Sequence, residues 1–420
     1  MLSENTIAIV KATAPAVAAH AEAITSRFYG LMFAGNPEVK AFFNQAHQTS
    51  GGQPRAFAGA ICAYAANIDN LGALGPAVEL IAQKHCALMI KPEHYPIVDK
   101  HLLVAIKDVL GDAATDEVIA AWAEAYGLLA QVLIGREAEI YKEQAASNGG
   151  WNGYRPFVVD RKVRECEIVT SFYLKPQDGG PLPAFKPGQY VTVNIEHPTT
   201  PTSPRNYSLS DRPGRDYFRI SVKREPGSPP GLISNYLHDK IEAGDVLSIG
   251  PPCGEFKIEV EQVGSRPIVL ISGGVGLTPM LSMLNTLADR GVDVPIHFIH
   301  GTRNSSTHAL GDEVRRIAAE RPNVRVHVVY SDPLAGDEVG THCDHVGLID
   351  VPLLEKLLPG MDGEFYLCGP KPFMACLYHG LMEHGVPDAQ IHFELFGPKQ
   401  DLVLPAATAG TGSPLGAARS

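Results

Sequence analysis

The sequence predicts three units in order: an all-α unit, an antiparallel β-barrel, and an α/β unit on a parallel sheet. Three observations carry this. Residues 1–147 are rich in alanine and in apolar spacings of three and four, with almost no alternation. Residues 154–262 hold short β-type runs broken by Pro and Gly. From 263 to 399, apolar strands alternate with helical segments, the pattern of a parallel sheet. A chain of 420 residues, 45% hydrophobic and 19% charged, suits two or three globular domains and excludes a disordered, collagen-like or coiled-coil chain.

In the first unit Val78, Ile81, His85 and Leu88 recur at helical spacing within Ala77–Met89, so a histidine lies on an apolar stripe. Tyr126, Leu129, Leu133, Glu137 and Ile140 do the same within Thr115–Tyr141, placing a carboxylate among apolar side chains. Tyr29 follows Thr25 and precedes Met32 and Phe33 on a third helix. Alone, a core histidine is most often a satisfied structural residue, and a lone glutamate on a stripe most often marks a misjudged boundary. With Tyr95, just beyond the histidine helix, the set is more informative. A buried carboxylate is costly unless hydrogen-bonded, and a metal-ligating imidazole generally gives its second N–H to a carboxylate or carbonyl.

Residues 148–153 read as a glycine-rich linker with Trp151 as an aromatic anchor. Beyond it, strands are expected at Gln189–Asn194, Phe218–Val222 and Val246–Ile249, with Pro187-Gly188-Gln189-Tyr190 a turn into the first of these. Arg205-Asn206-Tyr207-Ser208 offers a guanidinium fork for a diphosphate, a flat ring for stacking and a hydroxyl. Such a tetrapeptide is usually an ordinary strand entrance. Here Lys223-Arg224 and Gly231-Leu232-Ile233-Ser234-Asn235 follow, and the latter could open a helix whose first amides receive phosphate.

In the third unit strands are expected at Pro267–Ser272, Pro295–His300, Val324–Val329 and Glu364–Cys368. The first runs into Gly273-Gly274-Val275-Gly276-Leu277-Thr278-Pro279, with Thr278 as N-cap and Pro279 as first helical residue. Glycines there let backbone approach a pyrophosphate, or simply make a tight turn. Cys368-Gly369-Pro370 ends a strand where the carboxyl ends of parallel strands form a crevice. Cys368 lies beside a bound ring or is a small buried hydrophobe; both readings stand. Arg303 could meet a ribose 2′-phosphate, while His300, His308, His342 and His345 lack metal-ligand spacing.

A net charge of −11 argues against nucleic acid or an anionic membrane as partner. No apolar run approaches the roughly 20 residues of a spanning helix, and no secretory signal is read at the start, so no stable membrane anchoring is expected. Seven cysteines without a C-x-x-C pair read as reduced thiols in a cytoplasmic protein. Residues 400–420, dominated by Ala, Gly, Pro, Thr and Ser, read as a disordered tail.

Residues 1–147 resemble the globin domain of the flavohaemoglobins in Lys84-His85-Cys86, Lys91-Pro92-Glu93-His94-Tyr95-Pro96-Ile97-Val98 and Arg136-Glu137-Ala138-Glu139-Ile140-Tyr141. The resemblance implies a haem b whose iron is held by His85, with Tyr95 and Glu137 completing a hydrogen-bonded set that pushes electron density toward the metal. It implies Tyr29 and Gln53 as distal donors to dioxygen, Phe43 packed on the porphyrin, and Lys84 among the cofactor-binding residues. Phe57 departs from the smaller aliphatic residue common in the family, which would narrow the distal pocket. The second unit resembles the FAD domain of the ferredoxin–NADP⁺ reductase superfamily. This implies FAD contacts from Tyr190, Arg205, Asn206 (usually Gln), Tyr207, Ser208, Gly231 and Ser234, and from the closing motif Glu394-Leu395-Phe396-Gly397-Pro398. The third unit resembles that superfamily's nicotinamide domain, implying contacts from Gly273, Gly274, Val275, Gly276, Leu277, Thr278, Cys368, Gly369 and Pro370.

The resemblance spans residues 1–399 and implies a nitric oxide dioxygenase that uses NADH or NADPH, FAD and haem to convert NO and O2 to nitrate. Two other readings stay open. A hydroperoxide or general haem–flavin reductase would hold lipid in the distal pocket. A gas sensor would not turn over, and His85, Tyr95 and Glu137 disfavour it.

Overall fold

Helices in the first unit begin where the sequence supplies a cap. Ser3 accepts the Thr6 amide at 3.0 Å ahead of α1 (Glu4–Ala19), and α2 (Ala21–Gly35) follows after a one-residue break. Pro54 sits in the first turn of α3 (Gly52–Ala66), where a missing N–H costs nothing. Then come α4 (Gly75–Ala87), α5 (Tyr95–Leu110) and α6 (Asp116–Ala146), the last capped by Thr115 with Asp116 and Glu117 in its first turn. The structure, a computed structural model, describes residues 2–44, 48, 51–197, 204–228 and 230–397. Pro398 and the expected disordered tail therefore lie outside the described residues.

α2 packs on α3 and α5, while α4 and α1 pack on α6. Their shared core includes Val10, Ile24, Phe28, Met32, Ile106 and Trp122. Two expectations change. α6 is, by length and composition, apolar enough to cross a membrane, contrary to the reading that no run approaches that length. Its buried face, with Trp122, Ala125, Leu133, Glu137 and Ile140, belongs to the globular core. On α4 the residues that are buried are Ala82, Gln83, Cys86 and Ala87, whereas Val78, Ile81, His85 and Leu88 are only half-buried. Val78 and Ile81 pack against the small cluster of Tyr95, Ala130 and Leu133, so the stripe is a partly covered face and not the centre of a core.

The second unit contains β1 (Arg155–Arg164), β2 (Val169–Pro176), β3 (Tyr190–Asn194), β4 (Arg205–Ser208) and β5 (Phe218–Lys223), then α7 (Leu232–Lys240) and β6 (Val246–Ile249). Their order is β4-β3-β6-β1-β2-β5, with each neighbouring pair antiparallel. A bridge between Leu209 and Ile220, with the Ser210 amide donating to Arg219 O at 2.8 Å, brings the two edges together. Trp151, ahead of β1, donates its indole N–H to Ile249 O at 3.1 Å.

The third unit runs β7 (Ile268–Gly273), α8 (Leu277–Asp289), β8 (Ile296–Thr302), α9 (Gly311–Glu320), β9 (Val324–Tyr330), β10 (His345–Val346), α10 (Val351–Leu357), β11 (Glu364–Cys368), α11 (Lys371–Glu383) and β12 (Ile391–Glu394). The parallel order β10-β9-β8-β7-β11-β12 reverses direction between β7 and β11, so a crevice opens at their carboxyl ends. Arg219 of the barrel, 4% exposed, pairs with Glu313 of α9 at 2.7 Å and locks the two β-containing units together.

His300, 2% exposed, holds Ser272 Oγ at 2.9 Å, and burial pushes its imidazole from 6.5 down to about 3. The neighbouring His308 is pushed down to about 4 for the same reason. Because the folded values are depressed, their contribution is intact above about pH 6.5 and is lost as pH falls toward the folded values. Calorimetry is expected to show stability falling by about 1.4 kcal/mol per pH unit for His300 alone below that point, and His300→Asn is expected to flatten the slope.

Candidate active site

The costliest group in the helical unit is the Glu137 carboxylate, 2% exposed on α6. Two donors meet it at one oxygen. His85 Nδ1 lies 2.7 Å from Glu137 Oε1, and the Tyr95 hydroxyl donates to the same atom. Tyr95 Oη also lies 3.1 Å from His85 Nδ1. A 3₁₀ turn over Pro92–His94 delivers Tyr95 to the start of α5, and Tyr126 Oη anchors the Tyr95 carbonyl at 3.1 Å. Burial and the adjacent carboxylate push the Tyr95 phenol far above its ordinary range, so it remains a donor. With Nδ1 engaged, Nε2 is the imidazole nitrogen left for a ligand, and the side chain is 32% exposed. An imidazole so oriented by a carboxylate has the donor chemistry of a haem-iron ligand.

Across the unit, Tyr29 is buried within an aromatic group. Its ring centroid lies 4.8 Å from Phe28, 5.6 Å from Phe33, 5.6 Å from Phe43 and 6.2 Å from Phe57. Burial raises its phenol well above the ordinary value, and the side chains of Gln53 and Gln48 both reach it. Gln48, whose buried Nε2 has no partner among the described residues, was missed by sequence reasoning. It sits in a polar stretch without periodicity, where no signal separates it from its neighbours. Phe57 belongs to the aromatic group and fills space that a smaller side chain would leave.

In the barrel, Arg205, Asn206, Tyr207 and Ser208 are β4 itself, paired with Val193, Thr192, Val191 and Tyr190 of β3. Asn206 Oδ1 accepts from Thr192 at 2.9 Å, so this position serves the sheet. Burial raises the Tyr207 phenol strongly. Tyr190, 7% exposed, has a buried hydroxyl without a partner among the described residues, an orphan that a bound ring system with acceptors would satisfy. Gly231 precedes α7, whose Ser234 hydroxyl accepts the Glu225 amide at 3.3 Å. Lys223 and Arg224 pair instead with Glu225 and Asp239, so they are engaged within the barrel.

At the sheet crevice the two loops come into direct contact. Gly274 takes a positive φ of 54°, and a Cβ on Gly276 would lie 2.2 Å from Cys368 O. A Cβ on Gly273 would lie 3.0 Å from Pro370, and one on Gly369 would meet Phe373 at 2.8 Å. The helix starts earlier than the capping pattern suggested. A 3₁₀ turn over Gly274–Gly276 feeds straight into α8 at Leu277, and the Thr278 hydroxyl donates back to Val275 O at 3.0 Å. Thr278 is thus a helical residue, not the N-cap. Cys368 is fully buried, and burial raises its thiol well above the ordinary value. Glu394 ends β12 beside Cys368. Leu395, half-exposed Phe396 and Gly397 follow, and Lys84 Nζ reaches Gly397 O at 3.4 Å.

The chain matches the globin family over residues 26–133, the oxidoreductase FAD-binding domain over 156–258 and the oxidoreductase NAD-binding domain over 270–379. A flavohemoprotein of Rhodopirellula baltica is 58% identical over 96% of this chain and 100% of its own. One of Halalkalibacterium halodurans is 49% identical over 94% of this chain and 97% of its own. Among solved structures, a Malassezia yamatoensis flavohemoglobin with bound FAD and heme is 29% identical with a TM-score of 0.83, over 94% of this chain and 100% of that one. The flavohem-like FAD/NAD-binding domain of nitric oxide dioxygenase from Vibrio cholerae O1 biovar El Tor is 37% identical with a TM-score of 0.53, over 59% of this chain and 100% of that one.

Gly276→Ala must displace the loop from the β11 end. Stopped-flow reduction by NADH is expected to slow roughly tenfold or more, equivalent to about 1.4 kcal/mol, with haem content unchanged.

Proposed function

The chain belongs to the flavohemoprotein family, and on that premise we propose that it is an NAD(P)H-dependent nitric oxide dioxygenase. The reaction is 2 NO + 2 O2 + NAD(P)H → 2 NO3⁻ + NAD(P)⁺ + H⁺. When bound, haem supplies a one-electron redox metal and FAD divides the two electrons of a hydride into single ones. The observation that carries the reading is the convergence of His85 and Tyr95 on the buried Glu137.

His85 would hold the haem iron through Nε2. Glu137 keeps the proton on Nδ1, fixes the ring's orientation and makes the imidazole a stronger electron donor. Tyr95 donates to the carboxylate and stops it turning away. This equipment suits oxygen chemistry more than storage or sensing. On the distal side, burial keeps Tyr29 protonated throughout the physiological range, so Oη remains a donor. The Gln53 and Gln48 side chains reach toward that hydroxyl, and the rings of Phe28, Phe33, Phe43 and Phe57 surround it.

Tyr190, Tyr207, Ser208 and Arg205 would hold the flavin and its diphosphate, with the first amides of α7 and the Gly231–Ser234 turn nearby. Gly273–Leu277 and Cys368–Pro370 would receive the pyridine nucleotide in the crevice. Lys84 and the Glu394–Gly397 segment lie where the first and third units meet. Of the seven thiols, all but Cys376 are at least half-buried, which suits a reducing compartment, and we assign the cytoplasm.

Aerobic protein with NADH is expected to consume NO with one nitrate formed per NO. His85→Ala is expected to lose haem and NO consumption while retaining NADH oxidation with artificial acceptors. Retained haem with normal NO consumption would overturn the ligand assignment. Tyr29→Phe is expected to speed dioxygen release and slow NO turnover, by about tenfold or more for one lost charge-directed hydrogen bond; an unchanged dioxygen off-rate would remove Tyr29 from this role.

A further inference from the structure

One loop of the barrel, Gly250–Gly254, touches both helices that carry the buried pair. Gln83 lies two residues before His85, and its Oε1 accepts the Gly254 amide at 3.2 Å. Its Nε2 donates to Glu79 at 3.0 Å, and Glu79 holds Arg136, the residue before Glu137, at 2.6 Å. Gln144 lies two turns after Glu137, and its Nε2 donates to Pro252 O at 3.3 Å and to Cys253 Sγ at 3.1 Å.

The same loop is tied to the flavin-side strand. Cys253 and Tyr190 exchange two backbone hydrogen bonds, each 2.9 Å. Cys86, Ile140, Tyr190 and Cys253 bury one apolar cluster that crosses the unit boundary. Met89, just past α4, adopts a left-handed backbone rare for a residue with a side chain. A Cβ on Gly250 would lie 2.9 Å from its terminal methyl, so the loop fits closely against this turn.

We infer that Gln83 and Gln144 are positioning residues: they clamp the flavin-side loop Gly250–Gly254 to the helices carrying His85 and Glu137, and so set the rate of electron transfer from flavin to haem. This rests on the electron path proposed above. Each amide makes a directional contact beside the apolar cluster of Cys86, Ile140, Tyr190 and Cys253, so the two fix register where packing alone tolerates sliding. The clamp acts on placement, leaving the driving force and the hydride step untouched.

The test uses holoenzyme carrying Gln83→Met and Gln144→Met, which keep side-chain length and remove the hydrogen bonds. Anaerobic NADH under carbon monoxide gives flavin bleaching and haem reduction as separate stopped-flow phases, two electrons per NADH and one per haem. The clamp predicts flavin bleaching within about twofold of wild type, haem reduction slowed by about tenfold or more, and an unchanged haem midpoint potential. Faster amide exchange at Gly254 provides a readout independent of turnover. Unchanged haem reduction despite faster exchange at Gly254 would overturn the inference, as would an equal slowing of both phases or a shifted potential. If the double variant does not fold, each single variant is held to the same comparison. Failure of wild-type protein to reduce haem with NADH would refute the proposed function instead of the clamp.

Discussion

Everything on the haem side depends on one buried carboxylate. Glu137 sits on a long helix with its charge out of water, an arrangement that persists only because donors converge on it. Tyr95 and His85 both meet Oε1, leaving Oε2 buried without a partner among the described residues. The arrangement fixes three things at once: the angle at which α5 leaves its proline turn, the orientation of the His85 ring on α4, and which ring nitrogen is left over for a ligand. Replacing any member would leave a buried polar group exposed to its own desolvation cost.

The same economy governs the junctions. The barrel and the parallel sheet are joined by a buried guanidinium paired with Glu313, while Ser282 donates to Asp211 O at 2.8 Å beside it. The helical unit meets the barrel through amides at Gln83 and Gln144, through Arg205, which donates to Asn44 at 3.1 Å, and meets the third unit through Lys84. Directional polar contacts on rigid elements hold parts in register more tightly than apolar contact alone, as a chain of electron transfers requires.

Much of this was legible in the sequence because it violates a pattern. His85 and Glu137 stand out as polar residues on apolar stripes, and Tyr95 follows a proline turn. Ile268–Ser272 shows as a β-branched apolar run and Phe365–Cys368 as an aromatic and apolar one, each closed by glycine. Other features left no such trace. Half-burial of Val78, Ile81 and Leu88 looks like core from spacing alone, because a partly covered apolar face has the same composition as a buried one. Thr278 resembles an N-cap because the same hydroxyl can either accept from the helix or donate back to Val275. Gln48, Gln83 and Gln144 act through partners far away in sequence, and an amide carries neither charge nor hydrophobicity to mark it. Lys223 and Arg224 show the reverse: a basic pair conspicuous in the sequence is engaged by Glu225 two residues on and by Asp239 of α7.

The central claim is a single electron path from pyridine nucleotide through flavin to a histidine-ligated haem within one chain. An absorption spectrum of the purified protein under carbon monoxide, before and after anaerobic NADH, tests it most directly. The account predicts a mixed haem and flavin spectrum that converts to the ferrous carbonyl form with NADH alone. Bleached flavin beside unreduced haem, or flavin without haem after haem supplementation, would contradict it.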